Sequence, residues 1–517
     1  MKFALAASVI SLAVGRGNGQ VQAPALGGAA PPISPADRIY TGDQASNTIT
    51  VIQPATGAVL GTISLGDARL GGVLNPQYVG SVNAHGLGFS RDGRHIVSLS
   101  VTTNTATVIR CADNAVVSRT YTDRNPHEAF FAPDNRTVWV GTRGVDSITV
   151  IDGLAGGVVA RIPSPGGPSK VLFSPDGATA YANHINGSYI SVIDVAARRE
   201  TARITGLADR FSSDMMLSAD GERLWAAHKM VGKVSVVSLR RGGRSGRVVA
   251  VLDTGAETNH PQFAVIGGTT HGFVTVAAAN ETRMYAQPDP DRAPEYVGAI
   301  RASGVEPHGL WPSPDNTRMY ILNEHSDTVD EVDLTARPPA VVRTLRVGQE
   351  GQALVYVANA VPHGDGTANL GRQGLVSQPA VNKIVVAADD AAATAAATAN
   401  ANATTATTSH QGHGQGPAKK APPSALVTVR QQGGVDMFQV IGRDLRLNTT
   451  YTVAASCSRC GGHGSIPLVD FKATVPTGTT GCGSAPQVLA FFKFFGVYDL
   501  DSLTLTEAAA SAGASPK

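Results

Sequence analysis

A four-residue turn recurs along the chain at intervals of about forty residues. It reads Ser-Arg-Asp-Gly at 90–93, and its aspartates Asp92, Asp134, Asp176 and Asp220 are spaced by 42, 42 and 44 residues. An alternating strand follows each turn, and a β-branched strand follows a polar hairpin after that. A period of this length with several short strands per unit predicts the blades of a β-propeller.

The repeats also resemble a known repeat family. The segments "YANHINGSYISVIDV", "WVGTRGVDSITVID" and "YTGDQASNTITVI" are similar to the Tyr-Val-Thr-Asn (YVTN) type of β-propeller repeat. That family includes surface-layer and other exported proteins, and it is related to the haem d1 propeller of nitrite reductase. The resemblance covers roughly residues 38–360. It implies the propeller fold and no particular activity, because one fold supports many functions.

The two ends of the repeat region complement each other. Six full units start near residues 84, 126, 168, 212, 270 and 307. Residues 38–64 supply outer strands without an inner strand, and residues 351–361 supply an inner strand without outer ones. We therefore expect both ends to complete one blade, giving an all-β, seven-bladed ring without an open edge. Residues 237–270, which contain "RRGGRSGR", are predicted to form an inserted, solvated loop.

Seven of the 13 histidines are predicted to share one end of the central channel. In a propeller unit the chain enters at the channel, follows the innermost strand and returns on the second strand. A residue seven before the turn aspartate and one eight after it therefore lie at the same end. The candidate histidines at or near these positions are His85, His127, His184, His228, His271, His308 and His325. The candidate oxygen donors beside them are Asn183, Asn323 and Glu324.

Three interpretations of this histidine set stay open. Imidazole is a common ligand of copper, iron and zinc, so the ring is compatible with a metal- or cofactor-dependent oxidoreductase. It is equally compatible with a small-molecule ligand or an extracellular or cell-wall partner bound without metal. In the third interpretation the imidazoles only pin strand ends by hydrogen bonds to the backbone. The sequence has no Cys-x-x-Cys-His haem attachment and no cupredoxin copper motif, so the resemblance carries no redox activity over.

Charge and motifs narrow the function further. The chain has 42 basic and 40 acidic residues, which gives no reason to expect nucleic acid or an anionic membrane as partner. A lactonase-type hydrolase is less favoured, because lactonases on this fold hold calcium through acidic and amide groups, whereas histidine dominates here. We therefore predict a secreted propeller that binds a ligand or partner at its histidine-lined mouth as an extracellular interaction platform. The oxidoreductase is the alternative.

The chain termini predict export and a second domain. Lys2 precedes an apolar run, and "VQA" ends at Ala23, as in a cleaved secretory signal. No stretch is long enough to predict a membrane-spanning segment. The predicted divisions are a signal peptide at 1–23, a linker at 24–37, the propeller at 38–387, a low-complexity linker at 388–423, a small β-sandwich at 424–510 and a tail at 511–517.

Cysteines and sequons add further candidate sites. Cys457, Cys460, Cys482 and His463 match a zinc site in residue type, but an exported chain favours a disulfide from Cys482 to Cys457 or Cys460. Whether Cys111 pairs with the remaining cysteine is left open. Sequons that predict glycosylation in a eukaryotic source begin at Asn135, Asn186, Asn280, Asn402 and Asn448.

Overall fold

The computed structural model consists of strands, turns and a few short 3-10 helices. It describes residues 31–66, 83–240, 242–376, 379–387, 422–432, 435–457, 464–477, 482–484 and 487–508. Within these ranges the 3-10 helices are Ala277–Ala279, Glu324–Ser326 and Leu500–Ser502. The described residues include no helix with the length and apolar character needed to span a bilayer.

Strands β1–β28 form seven four-stranded antiparallel sheets, so the predicted seven-bladed propeller is confirmed. Their bounds are β1 Arg38–Asp43, β2 Thr48–Gln53, β3 Ala58–Ser64, β4 Ala84–Phe89, β5 His95–Ser100, β6 Thr105–Arg110, β7 Ala115–Tyr121, β8 Pro126–Phe131, β9 Thr137–Thr142, β10 Ser147–Asp152, β11 Val158–Pro163, β12 Pro168–Phe173, β13 Thr179–His184, β14 Tyr189–Asp194, β15 Arg199–Thr205, β16 Asp214–Leu217, β17 Arg223–His228, β18 Lys233–Arg240, β19 Ser245–Asp253, β20 Thr258–Ile266, β21 Thr269–Val276, β22 Glu281–Ala286, β23 Glu295–Arg301, β24 Pro307–Pro312, β25 Arg318–Asn323, β26 Thr328–Asp333, β27 Ala340–Arg346 and β28 Gly351–Val357. Blade 1 is β28-β1-β2-β3, and blades 2 to 7 are the successive groups of four from β4 to β27.

The ring closes through blade 1, as predicted. Its inner strand β28 comes from the end of the repeat region and pairs antiparallel with β1, with Tyr40 opposite Val355. The Tyr356 hydroxyl donates a hydrogen bond to Asp37 Oδ2 at 2.6 Å. This pairing leaves no unpaired inner edge in the blade, so the closure stabilises the whole ring.

The recurring aspartate turn has a local physical cause. In blade 4 the Ser174 hydroxyl donates to Asp176 Oδ1 at 2.5 Å, and the same carboxylate oxygen accepts the backbone N–H of Ala178. Ser218 and Asp220 repeat the contact in blade 5. Such side-chain turns fix the hairpin between the inner and second strands, which explains why the motif marks the blades.

The predicted insertion at 237–270 is wrong. This segment supplies the end of β18, the outer strand β19 of blade 5 and the inner strand β20 of blade 6. The hairpin from β20 to β21 turns at Gly267 and Gly268, which have φ values of 58° and 78°. Because two glycines replace the aspartate turn, this inner strand lacks the sequence motif that marks the others.

Strands β29–β38 form the C-terminal domain. Their bounds are β29 Val381–Val386, β30 Ser424–Gln432, β31 Val435–Arg443, β32 Leu445–Arg446, β33 Thr450–Ala455, β34 Ile466–Lys472, β35 Val475–Thr477, β36 Cys482–Ser484, β37 Val488–Phe492 and β38 Thr504–Glu507. The sheets have the strand orders β29-β30-β31-β37, β34-β33-β38 and β32-β36-β35. One buried apolar cluster joins Phe438 of the first sheet to Tyr451 of the second. The β-sandwich assignment stays a prediction.

The C-terminal domain begins earlier in the chain than predicted. Strand β29 pairs antiparallel with β30 over six positions, with Val381 opposite Val429. Residues 381–386 therefore belong to the C-terminal sheet, although the sequence pattern assigned them to the propeller. Strand β29 precedes the low-complexity segment and its partner β30 follows it. The alternating pattern of each strand is local, so it gave no sign that the two strands pair.

Several predictions lie outside the described residues. These are the signal peptide at 1–23, most of the low-complexity linker (388–421), the end of the chain from 509, Asn402, Cys460 and His463. The side chain of Cys482 is not described either, so the disulfide and the zinc site stay predictions. Cys111 is a free thiol in the core, and burial raises its pKa to about 12.

The described sequon asparagines differ in exposure. Asn186 and Asn448 are exposed, whereas Asn135 and Asn280 are partly buried and accept backbone hydrogen bonds through Oδ1. Glycosylation at these positions stays a prediction.

Candidate functional site

The C-terminal domain covers one end of the propeller and encloses a cavity of about 670 Å³ against it. The propeller contributes the ends of its strands and the hairpins between them, including His85, Lys229 and Glu324. The C-terminal domain contributes residues 441–444 and Gln487. This space, here called the mouth cavity, lies at the channel end that the histidine pattern indicated.

Below the mouth cavity the channel is filled by a buried ion network. Lys170 Nζ lies 2.9 Å from Glu128 Oε2 and 2.7 Å from Asp214 Oδ1, and His260 Nδ1 lies 2.8 Å from Asp214 Oδ2. Burial disfavours the ammonium, but Asp214 and Glu128 outweigh it and raise the pKa of Lys170. The space left among these side chains is about 20 Å³, roughly the room for one water molecule. A ligand of several atoms therefore does not fit among these side chains.

Two clusters of histidine and acidic residues in the described part of the chain have the spacing of metal ligands, and one of them belongs to this ion network. Oxygen and nitrogen atoms of Glu128, Asp214 and His260 lie within 4.8 Å of one another. The Lys170 ammonium already contacts both carboxylates, so an internal cation neutralises them. We assign this group a structural role, because a buried carboxylate pair needs a cation and here a lysine supplies it.

Four histidines meet where the inner strands enter the channel. Nε2 of His85 lies 2.9 Å from Nε2 of His127, and the rings of His260 and His308 have centroids 4.5 Å apart. Burial, reinforced by Arg143, lowers the pKa of His127 well below its usual value. Burial together with His260 does the same for His308. These two imidazoles are therefore neutral near pH 7 and offer a lone pair as well as a donor.

Sequence reasoning missed His260. It lies on β20, the inner strand that the glycine hairpin concealed, and the strand register places it level with Lys170 and Glu128 of other blades. The "NHP" at 259–261 was the available signal, since it resembles the "PHG" that opens β24.

A second charged group forms the wall of the mouth cavity next to the C-terminal domain. Atoms of Glu306, Glu324 and His325 lie within 4.8 Å of one another, and all three residues are buried. His325 Nε2 and Glu306 Oε2 form an ion pair. Arg443 of β31 reaches the same glutamate, with NH2 3.0 Å from Glu306 Oε1, and also forms a two-pronged pair with Glu257.

Arg430 fixes the C-terminal domain to this wall. Its guanidinium is fully buried and donates to Asp327 Oδ1 at 3.1 Å, to the Glu324 carbonyl at 2.9 Å and to Gln439 Oε1 at 2.8 Å. Its NH2 also lies 3.4 Å from Nδ1 of His325. Arg430 therefore contacts His325 on the side of the ring opposite Glu306.

The two glutamates of the wall have opposite electrostatics. Burial opposes ionisation of Glu306, but His325 and Arg443 outweigh it and hold its pKa well below the usual range. Burial raises the pKa of Glu324 to about 7, although His325 partly offsets it. The same carboxylates raise the pKa of His325 against the effect of its burial. Glu306 is thus an ionised partner of cations, and Glu324 is a carboxyl group poised near neutral pH.

Two charged groups of the mouth cavity have no hydrogen-bonded partner within the described part of the chain. The Glu324 carboxyl group lies 3.7 Å from His308 Nε2 and 4.0 Å from His325 Nε2, beyond hydrogen-bond distance. The Lys229 ammonium forms no ion pair there. A polar group buried without a partner costs free energy, so the buried Glu324 marks a place where a ligand supplies the partner. Lys229 is only partly buried and offers its ammonium to a ligand in the cavity.

The remaining candidates lie away from the mouth cavity. His184 and His228 point into their own blades, where Nε2 lies 3.0 Å from Ser191 Oγ and 2.9 Å from Ser235 Oγ respectively. Each bond joins the second strand of a blade to the third. These histidines thus connect strands within their own blades through serine hydroxyls, and the interpretation in which imidazoles bond the backbone at strand ends stays a prediction.

Both candidate asparagines are also engaged within the blades. Asn183 accepts the N–H of Lys170 at 2.9 Å and donates to the carbonyl of Ser212 at 3.1 Å. Asn323 donates to Thr328 Oγ1 at 3.2 Å. Neither side chain lines the mouth cavity.

The placement of His271 ahead of an inner strand is wrong. His271 lies on the second strand β21, opposite Ala264, close to the glycine hairpin. The mouth end of that strand is Val276, which pairs with Thr258. His271 therefore sits toward the other end of the channel, and its Nδ1 bonds the Thr269 carbonyl.

Comparison with known proteins supports the architecture. No family model and no curated protein matches the sequence. Among solved structures, the periplasmic gluconolactonase of Pseudomonas aeruginosa is similar, with a TM-score of 0.50 and 18% identity over 62% of this chain and 99% of that one. A functionally unknown protein from Desulfotomaculum acetoxidans has a TM-score of 0.51 and 11% identity over 62% and 98%. A putative 6-phosphogluconolactonase from Bacteroides fragilis has a TM-score of 0.50 and 12% identity over 63% and 99%.

These similarities show the fold alone, because the identities are low and propellers serve many functions. They agree with the β-propeller that the sequence repeats predict. The assignment of the repeats to the YVTN type stays a prediction. Function has to be argued from the mouth cavity.

Proposed function

We propose that the protein binds a small ligand with a carboxylate group in the mouth cavity. The observation that carries this proposal is the Lys229 ammonium, which lines the cavity without an ion pair among the described residues. Arg443, which also lines the cavity, is held by Glu257 and Glu306. An anionic group on the ligand would form the ion pair that Lys229 does not form with any described residue.

The rest of the lining suits a polar ligand of modest size. A volume of about 670 Å³ lies within the range of small-molecule sites. Gln44 and Gln352 offer hydrogen bonds from the propeller, and Gln487 offers one from the C-terminal domain. Since both domains contribute, the site depends on their docking.

Lys229→Gln is expected to weaken binding of a carboxylate at least about tenfold, because the only unpaired cation of the described lining is lost. The check is isothermal titration of the full chain with acetate, glycolate, citrate and D-gluconate in turn. Lys472→Gln is the matched control, since Lys472 is an exposed lysine outside the lining. The proposal fails when none of the four binds the wild-type protein, or when Lys229→Gln binds as tightly as the control.

We further propose that the protein acts outside the cytoplasm. Support comes from the charged, apolar and small-residue order of residues 1–23. Sequencing the amino terminus of the protein purified from its native host tests this: a start at Pro24 is expected, and an intact start at Met1 contradicts it. The oxidoreductase and the lactonase-type hydrolase remain alternatives without an observation that favours either.

A further inference from the structure

We propose that the carboxylate ligand of the mouth cavity is an amino acid, whose carboxylate binds Lys229 and whose ammonium group binds Glu324. The inference rests on the proposed function and deepens it, because it adds a second charge to the ligand and a second partner in the protein. Lys229 belongs to the hairpin between β17 and β18 of blade 5, and Glu324 begins the 3-10 helix that follows β25 in blade 7. The two side chains therefore reach the same cavity from different blades.

Glu324 is a buried carboxyl group with unused hydrogen-bonding capacity. The residue is 6% exposed, and its side chain makes no hydrogen bond with any described residue. Its oxygens lie 3.7 Å from His308 Nε2 and 4.0 Å from His325 Nε2, both beyond hydrogen-bond distance. A donor that enters the cavity can therefore bond this carboxyl group, and a charged donor forms the stronger bond.

The neighbouring histidines leave Glu324 short of positive charge. Burial, together with His260, lowers the pKa of His308 well below its usual value, so this imidazole is neutral near pH 7. Burial also lowers the pKa of His325, but Glu306 and Glu324 outweigh it and raise that pKa. The resulting cation forms its ion pair with Glu306, and burial still raises the pKa of Glu324 to about 7. An ammonium group on the ligand supplies the charge that stabilises ionised Glu324.

The two other glutamates of the lining already have an arginine partner. Arg443 NH2 lies 2.7 Å from Glu257 Oε2 and 3.0 Å from Glu306 Oε1. No lysine or arginine of the described residues lies within ion-pair distance of Glu324. An incoming ammonium group therefore finds its partner at Glu324 rather than at Glu257 or Glu306.

The overall charge of the lining favours a ligand with a positive group. Acidic residues outnumber basic ones, with Asp253, Glu257, Glu306, Glu324 and Asp444 against Lys229, Arg443 and His325. A ligand that carries only a carboxylate adds to this negative excess, and like charges repel. An amino acid adds no net charge and presents each of its charged groups to an opposite one.

Lys229 and Glu324 are close enough to interact electrostatically without forming a pair. Burial raises the pKa of Glu324, and the Lys229 ammonium is among the charges that oppose this rise. The ion pairs of Glu324 are those with His308 and His325, so none joins it to Lys229. Both side chains line the mouth cavity, which separates them. A molecule with an ammonium group and a carboxylate a few bonds apart bridges this gap with the charges reversed.

Two matched pairs of ligands test the inference by isothermal titration of the full chain at neutral pH. Glycine and glycolate differ only in an ammonium group for a hydroxyl group, and 4-aminobutyrate and 4-hydroxybutyrate repeat the difference over a longer chain. In at least one pair the amino member is expected to bind about tenfold or more tightly than the hydroxy member. Glu324→Gln is expected to abolish this preference and to leave the affinity for the hydroxy member within about twofold of the wild type. Glu295→Gln, at an exposed position outside the lining, is the matched control and is expected to keep the preference.

The outcomes separate the inference from the proposed function. Binding of glycolate that is weakened by Lys229→Gln, without tighter binding of either amino member, overturns the amino-acid ligand and leaves carboxylate binding intact. A preference that survives Glu324→Gln, or no binding of either amino member, also overturns it. Retention of the hydroxy member by Glu324→Gln shows that this variant is folded. Loss of both members instead indicates misfolding, and Glu324→Asp, which keeps the charge, then decides: a remaining preference for the amino member supports the inference, and its absence overturns it.

Discussion

Replacing Arg430 with methionine is expected to lower the free energy of unfolding by about 3–5 kcal/mol and to undock the C-terminal domain. The guanidinium is fully buried between the domains, and its removal leaves Asp327, which is 1% exposed, without a cation. It also leaves the Glu324 carbonyl and Gln439 without their donor. Unpaired buried groups of this kind cost far more than the ion pair itself contributes.

Urea unfolding followed by tryptophan fluorescence measures the loss, with limited proteolysis as a second readout for undocking. Arg446→Met is the matched control, because Arg446 pairs with Glu507 in the same domain but is 63% exposed. Such a surface pair contributes at most about 1 kcal/mol. Equal stability of the two variants would refute the assignment of Arg430 as the anchor of the domain.

Replacing Lys170 with methionine is expected to cost a similar amount, about 3–5 kcal/mol at pH 7. The substitution removes the only cation that contacts both Glu128 and Asp214 in the described part of the channel. Lys383→Met is the control, since Lys383 forms an exposed pair with Asp501. Urea unfolding of both variants at a series of pH values is the measurement.

The pH dependence separates this network from a simple packing defect. In the wild type, burial opposes ionisation of Asp214, but Lys170 and His260 outweigh it and lower its pKa to about 2. That stabilisation is present above the unfolded pKa of about 3.9 and is lost as the pH falls through about 2. In Lys170→Met the buried carboxylates bind protons more tightly than in the unfolded chain, so the variant gains stability as the pH falls. The gap between the two proteins should therefore narrow in acid, and a constant gap would contradict the electrostatic explanation.

The repeating blades were predictable from sequence because each hairpin is held by hydrogen bonds between residues that are close in the chain. Ser174 and Asp176 form the same hairpin bonds as Ser218 and Asp220, so the motif reports the hairpin itself. Blade 6 escaped the pattern because Gly267 and Gly268 turn the chain without a side-chain bond. The error displaced one inner strand and hid His260.

The histidine pattern predicted position along a strand better than direction. His184 lies at the mouth end of its strand, opposite Pro168, as the spacing indicated. Its side chain nonetheless points along the blade to Ser191, because orientation depends on the neighbouring strand rather than on the distance from the turn. His85, His127 and His308 on inner strands do meet at the mouth.

No sequence pattern indicated that the C-terminal domain covers the mouth cavity. Arg430 and Arg443 lie on strands more than a hundred residues from Asp327 and Glu306. Docking of one domain on another depends on three-dimensional surfaces, and no periodicity encodes which surfaces meet. Lys229, which carries the proposed function, stands out only once the other charged residues of the lining are known to be paired.

Hydrogen–deuterium exchange with and without the carboxylate that binds in the titration tests the central claim most directly. The mouth cavity predicts slower exchange together in the propeller hairpin at 229–232, around 253–257 and in residues 441–444 of the C-terminal domain. Joint protection of these segments, absent in Lys229→Gln, is the result that the account predicts. Protection confined to the propeller rim, or unchanged by that substitution, would place the ligand elsewhere and contradict it.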